Sequence, residues 1–359
     1  MKITALRSDQ IYEEIIQAAP DEKLELYREL MMSPFMNKWN IQHIPFRSQE
    51  PHGFDVIMMN NFMNIAPADI TPEINESLAT ISSEAFWQQC HEAVRRSLST
   101  FTDHGIELSV FEYLYTILLG DKDSPSLNMN EGISGDGGIP GYIIANLIPN
   151  GYTLPRMQSV LAHECNHNVR YQYIQWNPQI TLGETVVSEG LAENFATSLY
   201  GEELLGPWVA KTDMETLNKV IKPKMKDQLH LTGFDQINPY LYGDELAIMQ
   251  NFTPVGMPYA AGYACGYHLI QYYLNKTGTP ITEATITPVK LAQYPTNGSG
   301  TVSIQYILRA SEKDSISIAG NYSSATKTIT FSNVQAGTYA LQIKNIGTTT
   351  ASGYGSIND

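Results

Sequence analysis

The chain is poor in several residue classes, and each shortage excludes a class of protein. Its 359 residues hold only three cysteines at wide spacing, which predicts reduced thiols rather than a disulfide framework. Basic residues are scarce: 22 Lys and Arg stand against 37 Asp and Glu, and the net charge of −15 argues against a nucleic-acid partner held by its phosphates. A charged fraction of 16% beside 43% hydrophobic residues excludes an intrinsically disordered chain.

Long hydrophobic runs are also missing. The one long charge-free stretch, residues 246–275, is interrupted by prolines, amides and a histidine, and it predicts buried structure rather than a membrane span. The chain reaches Asp9, Glu13 and Glu14 before an apolar segment of seven residues forms. That is not the pattern of a signal peptide, so none is expected.

What is present predicts an α+β fold. Residues 8–32 carry two short helical patterns, and residues 71–101 predict one or two longer helices beginning at Thr71. Between 106 and 149, the segments IELSVFEYLYTILL and IPGYIIANLI predict a small sheet, with GDKDSPSLNMNEGISGDGG as the loop between them. Helical patterns return from 151 to about 275, so the strands are clustered before the helices.

The last part of the chain has a different character. A Gly/Ser/Asn segment at 296–300 reads as a linker, and the alternation of Val302, Ile304, Tyr306 and Leu308 has the period of a strand. We therefore predict two domains, a mostly helical domain over 1–294 and a small all-β, sandwich-like module over 301–359.

The informative motif is an H-E-x-x-H sequence, His163-Glu164-Cys165-Asn166-His167. Helical periodicity places residues four apart on one face, where two imidazoles can bind one ion. Thr153 is a candidate cap and Pro155 suits a first helical turn, which predicts a helix around the motif. The sequence therefore predicts a zinc site held by His163 and His167.

A third ligand is needed, because a catalytic zinc site uses three protein ligands and leaves one position for water. The downstream segment TLGETVVSEGLAENFATSLYG predicts a helix with Thr181 and Glu184 as a capping box. Glu189 on that helix is the predicted ligand, and Glu184 is the rival. Glu193, one turn beyond Glu189, is predicted to accept the free ring N–H of a ligating histidine.

These residues resemble a known family. The segments GGIPGY (137–142), HECNH (163–167), SEGLAENF (188–195) and GYACGYHLIQYYL (262–274) are similar to predicted bacterial zinc-dependent proteases of the gluzincin type. The resemblance implies a zincin-like metallopeptidase domain with one Zn²⁺ per chain, and it covers most of residues 1–290. It implies His163, His167 and Glu189 as ligands and Glu164 as general base.

The mechanism expected from these roles is peptide hydrolysis, with a zinc-activated water that gives its proton to Glu164. Tyr263, Tyr267 and His268 are the candidates to stabilise the oxyanion, with simple packing as the alternative for each. The strand IPGYIIANL is expected to be an edge strand that pairs with an extended peptide.

Two rival functions stay open at this stage. One is a zinc hydrolase of another amide or ester, and the other is a catalytically silent binding or adhesion protein that keeps the fold. The expected partner is a peptide or protein substrate, and the sequence leaves the oligomeric state open. The thiols and the missing signal pattern favour the cytoplasm, with export as the alternative because small β appendages occur on exported hydrolases.

Overall fold

The computed structural model describes residues 1–50, 53–175, 177 and 179–289, together with five strand segments beyond them. The chain divides into two compact units, Met1–Val289 and Lys290–Asp359. The predicted linker at 296–300 lies outside the described residues, and so does the predicted boundary between 294 and 301. The two-domain division with those bounds stays a prediction.

The first unit contains a small sheet. Its strands are β1 (Lys2–Ala5), β2 (Glu112–Leu119), β3 (Ile133–Ile139) and β4 (Tyr142–Leu147). They pair in the order β1-β2-β4-β3, with β1, β2 and β4 parallel and β3 antiparallel to β4. This order places β4 inside the sheet and β3 at its edge.

Helices make up most of the rest of this unit, which confirms the α+β class and the mostly helical character. They are α1 (Ser8–Gln17), α2 (Lys23–Tyr27), α3 (Met36–Ile41), α4 (Val56–Asn61), α5 (Asn75–Ile81), α6 (Glu84–Asp103), α7 (Pro125–Met129), α8 (Met157–Tyr173), α9 (Leu182–Tyr200), α10 (Pro207–Ala210), α11 (Met214–Thr216), α12 (Lys222–Met225), α13 (Phe234–Leu241), α14 (Asp244–Met249), α15 (Ala261–Thr277) and α16 (Ile281–Ile286). Short 3-10 or π turns occupy Arg28–Met32, Ser33–Phe35, Pro67–Asp69, Pro72–Ile74, Leu154–Arg156, Glu202–Leu204 and Leu217–Ile221.

The sheet corrects three sequence-based expectations. β1 was not expected, and it forms because the N-terminal segment pairs with β2. β3 lies where a loop was expected, since its run of glycines carries little strand propensity and the pairing with β4 supplies the structure. The expected edge strand, β4, is interior because β2 and β3 flank it.

Helix α8 is central to the unit, and it is buried along nearly its whole length from 157 to 170. The sheet lies against it through β3 and β4, and α6 and α9 pack beside it. The start of α8 differs from the prediction that Thr153 caps it. The Thr153 hydroxyl donates to the Ile148 carbonyl at 2.8 Å instead of capping the helix, and a 3-10 turn leads into α8.

Helix α9 begins as the sequence predicted. Thr181 and Glu184 form a capping box in which each side chain accepts from the other residue's backbone N–H, and the helix ends before Gly201. Its crossing with α15 depends on two glycines, because a Cβ on Gly190 would lie 2.2 Å from the Gly266 carbonyl oxygen. The two helices can therefore pack backbone to backbone at this point.

The described strands of the second unit are β5 (Ile304–Arg309), β6 (Ser317–Ala319), β7 (Asn321–Ser323), β8 (Thr328–Thr330) and β9 (Ala340–Asn345). β5 pairs antiparallel with β6 and β9, and β7 pairs antiparallel with β8. The strand predicted from the alternation after Val302 therefore exists from Ile304 onward. A sandwich-like arrangement stays a prediction. Within the described parts of the chain, no helix combines the length and the apolar character that a membrane crossing requires.

Candidate metal centre

The two motif histidines lie on one face of α8, one turn apart, and their side chains are buried. Glu189 approaches them from α9. The three atoms His163 Nε2, His167 Nε2 and Glu189 Oε2 form a triangle with sides of 3.1, 3.2 and 3.3 Å. The structure therefore brings together the three side chains that the sequence predicted to share one ion.

The chemistry of this triangle fits a zinc ion. Ligands about 2.0–2.1 Å from a tetrahedral zinc lie roughly 3.3–3.4 Å from one another, close to the observed spacing. His163 Nδ1 donates to Glu193 Oε2 at 2.8 Å, which leaves the Nε2 lone pair of His163 facing the other two ligand atoms. His167 Nδ1 lies 3.2 Å from Ser188 Oγ, which can accept a hydrogen bond from it. In the tautomer that donates from Nδ1, the Nε2 lone pair of His167 also faces the other two ligand atoms. A cation at this point would satisfy all three atoms.

The Glu193 carboxylate orients His163 and is itself held in place. Besides the ring N–H of His163, it accepts the backbone N–H of Gly206 at 2.6 Å and the indole N–H of Trp208 at 2.8 Å. Glu184, the rival ligand, is instead occupied in its capping box, where it accepts from the Thr181 backbone N–H and hydroxyl at 2.9 Å. The geometry therefore favours Glu189 over Glu184.

Glu164 lies beside the triangle and is buried against the edge strand. Its Oε2 accepts the backbone N–H of Gly137 at 2.6 Å. A Cβ on Gly135 would lie 2.4 Å from Glu164 Oε1, so the strand can approach this close only without side chains there. Burial raises the pKa of Glu164 above 4.5, although the two motif histidines act in the opposite direction.

Electrostatics at the triangle favour a positive charge. Burial alone would raise the pKa of Glu189, but His167 and His163 outweigh it and lower that pKa to about 2. Burial opposes protonation of His163, yet the acceptors Glu189 and Glu193 raise its pKa well above 6.5. Glu189 therefore stays ionised and favours a positive charge beside it, either a proton on His163 or a metal ion.

Comparison with known proteins identifies a family for this chain. A family described as "Predicted Zn-dependent protease (DUF2268)" matches residues 86–291, more than half of the chain and the part that contains the triangle. This chain belongs to that family. It is also similar to the uncharacterized protein YjfC of Bacillus subtilis (strain 168), with 32% identity over 286 residues that cover 79% of this chain and 95% of that protein. No solved structure matches.

The candidate oxyanion donors of this predicted zinc protease lie in different places, and one of the three lines the cleft. The Tyr263 side chain lines the cleft beside His163, Glu164 and Glu189, together with Tyr242, which the sequence analysis missed. The Tyr267 hydroxyl instead donates to Glu202 Oε1 at 3.2 Å, and His268 contacts the Tyr267 ring. Neither is among the described residues that line the cleft. Tyr267 lies one turn beyond Tyr263 on the same face of α15, beside Glu202, and His268, five residues after Tyr263, faces another side of the helix.

Tyr263 and Tyr242 are both kept protonated. Burial raises the pKa of Tyr263 well above 10, and the nearby carboxylate of Glu189 raises it further. Burial likewise raises the pKa of Tyr242, with the same carboxylate contributing. Each phenol can therefore donate a hydrogen bond into the cleft at neutral pH.

Asn168, directly after the motif, is another residue that the sequence analysis missed. This fully buried amide donates to the carbonyls of Gly137, Ile139 and Tyr142 at 2.9 Å and accepts the Gly141 N–H at 2.7 Å. These hydrogen bonds hold the turn between β3 and β4 against α8. No periodicity could have indicated this role, because the partners are backbone groups about 30 residues away along the chain.

Two adjoining cavities form the cleft at the triangle of this family member. One has a volume of about 410 Å³, and the other, of about 330 Å³, runs along the edge strand. His163, Glu164 and Glu189 line both. The triangle is therefore accessible from the cleft.

Proposed function

We propose that this chain is a zinc-dependent endopeptidase of the gluzincin type, with a zincin-like catalytic domain. The observation that carries the proposal is the ligand triangle with sides of 3.1–3.3 Å beside the buried carboxylate of Glu164, in a cleft formed by two adjoining cavities. The family description supports the coarser part of the proposal, a zinc-dependent protease.

In this proposal one zinc per chain is held by His163, His167 and Glu189. When bound, zinc supplies Lewis acidity that lowers the pKa of a water and polarises a substrate carbonyl. The Glu193 carboxylate keeps His163 in the tautomer that offers Nε2. Trp208 and Gly206 in turn hold Glu193 by donating to it.

Glu164 is the proton carrier. The Gly137 N–H occupies its Oε2, so Oε1 remains to accept a proton from the attacking water. The same group then protonates the leaving amine, and its raised pKa suits both transfers better than that of an exposed glutamate. Tyr263, with Tyr242 beside it, is proposed to donate a hydrogen bond to the oxyanion.

The test is cleavage of a mixed peptide library by the full chain and by Glu164→Gln. We expect the parent to cleave internal peptide bonds and the variant to retain zinc without turnover, because only the proton acceptor is lost. Hydrolysis of esters or other amides without peptide cleavage would point to the broader hydrolase. Peptide binding of equal strength in both proteins, with no turnover in the parent, would point to a silent binding protein.

A further inference from the structure

We propose that Lys38 is a positioning residue for Glu164 and acts on it through Asp136 of the edge strand β3. Lys38 lies in α3, ahead of residues 86–291 that match the family. The consequence for catalysis rests on the proposed function. The contacts that link the two residues do not, because they are present in the structure whatever the reaction is.

Lys38 is a buried cation with one charged partner. Its side chain is 0% exposed, although an ammonium group normally remains in water. Lys38 Nζ donates to Asp136 Oδ2 at 2.5 Å and to Gln42 Oε1 at 3.2 Å. Among the described residues, Asp136 is the one carboxylate within ion-pair distance of Lys38. Because a buried charge is costly without a partner, this ammonium group restricts where the Asp136 carboxylate can lie.

Asp136 marks the point where β3 becomes irregular. The ladder with β4 shifts register between Asp136 and Ile139, which indicates a bulge in this stretch. Asp136 Oδ1 accepts the backbone N–H of Gly138 at 3.3 Å, inside the bulge. The carboxylate therefore binds Lys38 with one oxygen and the bulge with the other.

The peptide group that binds Glu164 begins at Asp136. A peptide group is planar, so the Gly137 N–H moves with the α-carbon of Asp136. That N–H donates to Glu164 Oε2 at 2.6 Å. Fixing the Asp136 side chain therefore restricts the donor that holds Glu164.

Asn168 holds Gly137 at the next peptide group. Its amide donates to the Gly137 carbonyl at 2.9 Å, on the other side of the Gly137 α-carbon. Glycine has no side chain to restrict its two backbone dihedrals, so the peptide groups before and after it both need an anchor. Asn168 supplies one anchor from α8, and the Lys38–Asp136 pair supplies the other from α3.

The anchor on α3 is itself held in place. Phe35, directly before α3, is fully buried, and its ring centroid lies 6.0 Å from that of Tyr142 on β4. Trp39, next to Lys38, is buried as well. These contacts hold α3 against the sheet, so Lys38 binds Asp136 from a fixed point.

The first experiment measures peptide cleavage by full-length Lys38→Met, which keeps most of the side-chain length and removes the charge. Folding should persist, because the Asp136 side chain is 39% exposed and water can solvate the unpaired carboxylate. We expect kcat to fall at least about 10-fold, with KM within about twofold of the parent and one zinc per chain. An unchanged kcat would overturn the proposal. A change in KM alone would overturn it too, because it would assign the pair to substrate binding.

A double variant tests whether Lys38 acts through Asp136. Asp136→Asn alone leaves the buried ammonium group without its carboxylate, whereas Lys38→Met with Asp136→Asn removes both charges. If the two residues act as one unit, the double variant should lose no more kcat than about the larger of the two single losses. Losses that multiply would contradict the proposed path from Lys38 to Glu164.

Arg28→Met is the matched control for loss of a buried ion pair. Arg28 and Asp55 pair at 2.9 Å with side chains 7% and 11% exposed, and Arg28 also donates to the Phe46 carbonyl rather than to β3. We expect this variant to lower the melting temperature while the folded protein keeps the parental kcat. An equal loss of kcat in Arg28→Met would make the effect of Lys38→Met a general consequence of lower stability, and the proposal would be wrong.

Hydrogen exchange gives a readout that needs neither zinc nor turnover. In the metal-free full-length protein, Lys38→Met should speed amide exchange of the segment 133–139 at least about 10-fold, and Arg28→Met should not. If the parent cleaves peptides but exchange and kcat are both unchanged in Lys38→Met, the positioning role is wrong and the peptidase remains. Faster exchange in that segment, with no cleavage by the zinc-loaded parent, would remove the peptidase and leave Lys38 as the residue that positions Glu164.

Discussion

The helix pair α8–α9 and the edge strand β3 meet at the candidate site, and they contribute in opposite ways. The helices supply charged side chains, His163 and Glu164 from α8 and Glu189 from α9, at positions set by helical periodicity. The strand supplies backbone, since the Gly137 N–H holds Glu164 and glycines allow the contact. Metal affinity should therefore depend on the helices. The position of Glu164, the proposed proton acceptor, should depend on the strand.

The largest expected effect lies on the helix side. Replacing His163, His167 or Glu189 with Ala should remove stoichiometric zinc, because two ligands and water do not match the affinity of three. Glu184→Ala is the matched control, and it should keep zinc while losing some helix stability at the cap. The measurement is the zinc content of each purified protein. Full zinc in Glu189→Ala would disprove that ligand.

The second-largest effect is expected for a substitution in strand β3, and it tests whether the strand positions Glu164. A Cβ at Gly137 would lie 2.2 Å from the Glu164 carbonyl oxygen, so Gly137→Ala must displace the strand or the helix. A displacement of about 1 Å at a catalytic group can reduce turnover roughly 100-fold. We expect peptide turnover to fall by that order with zinc retained.

Gly138→Ala is the control for the strand variant. A Cβ at Gly138 meets no described atom closer than Asp136 Oδ1 at 3.8 Å, so turnover and zinc content should both stay near the parental values. If both variants lost activity equally, glycine as such rather than the contact with Glu164 would be responsible. The proposed division of roles would then be wrong.

The same division separates the parts of the site that the sequence predicted from the parts that it did not. The histidines, Glu189 and the capping box of α9 were predictable because helical spacing is a local property of the chain. The strand at 133–139 was not, because its glycine-rich sequence forms a strand only through pairing with β4. Trp208 and Asn168 were missed for a related reason, since their partners are distant in sequence.

A smaller effect is expected at Glu193, which contacts the proposed ligand His163 and would not contact the ion itself. Removing such a carboxylate typically costs about 10- to 100-fold in metal affinity or activity, so Glu193→Ala should weaken zinc binding without abolishing it. Competition with a chelator of known affinity measures the change. Unaltered zinc affinity and turnover would leave Glu193 with a packing role only.

The smallest effect is a dependence of zinc binding on pH. In the metal-free protein Glu189 and Glu193 raise the pKa of His163 above 6.5, and zinc must displace this proton. As pH falls below that raised pKa, zinc affinity should decrease by up to about tenfold per unit for the one proton released. Zinc titrations across the neutral range test this expectation. A constant affinity would show that His163 binds no competing proton.

The most direct test of the central claim measures zinc and turnover in the same sample of the full chain. The protein is stripped with a chelator and then titrated with zinc while peptide cleavage is followed. We predict that cleavage disappears on stripping and returns in proportion to zinc, saturating at one zinc per chain. Glu164→Gln should bind the same single zinc and remain inactive. Undiminished cleavage by the stripped protein, or turnover by zinc-loaded Glu164→Gln equal to that of the parent, would contradict the account.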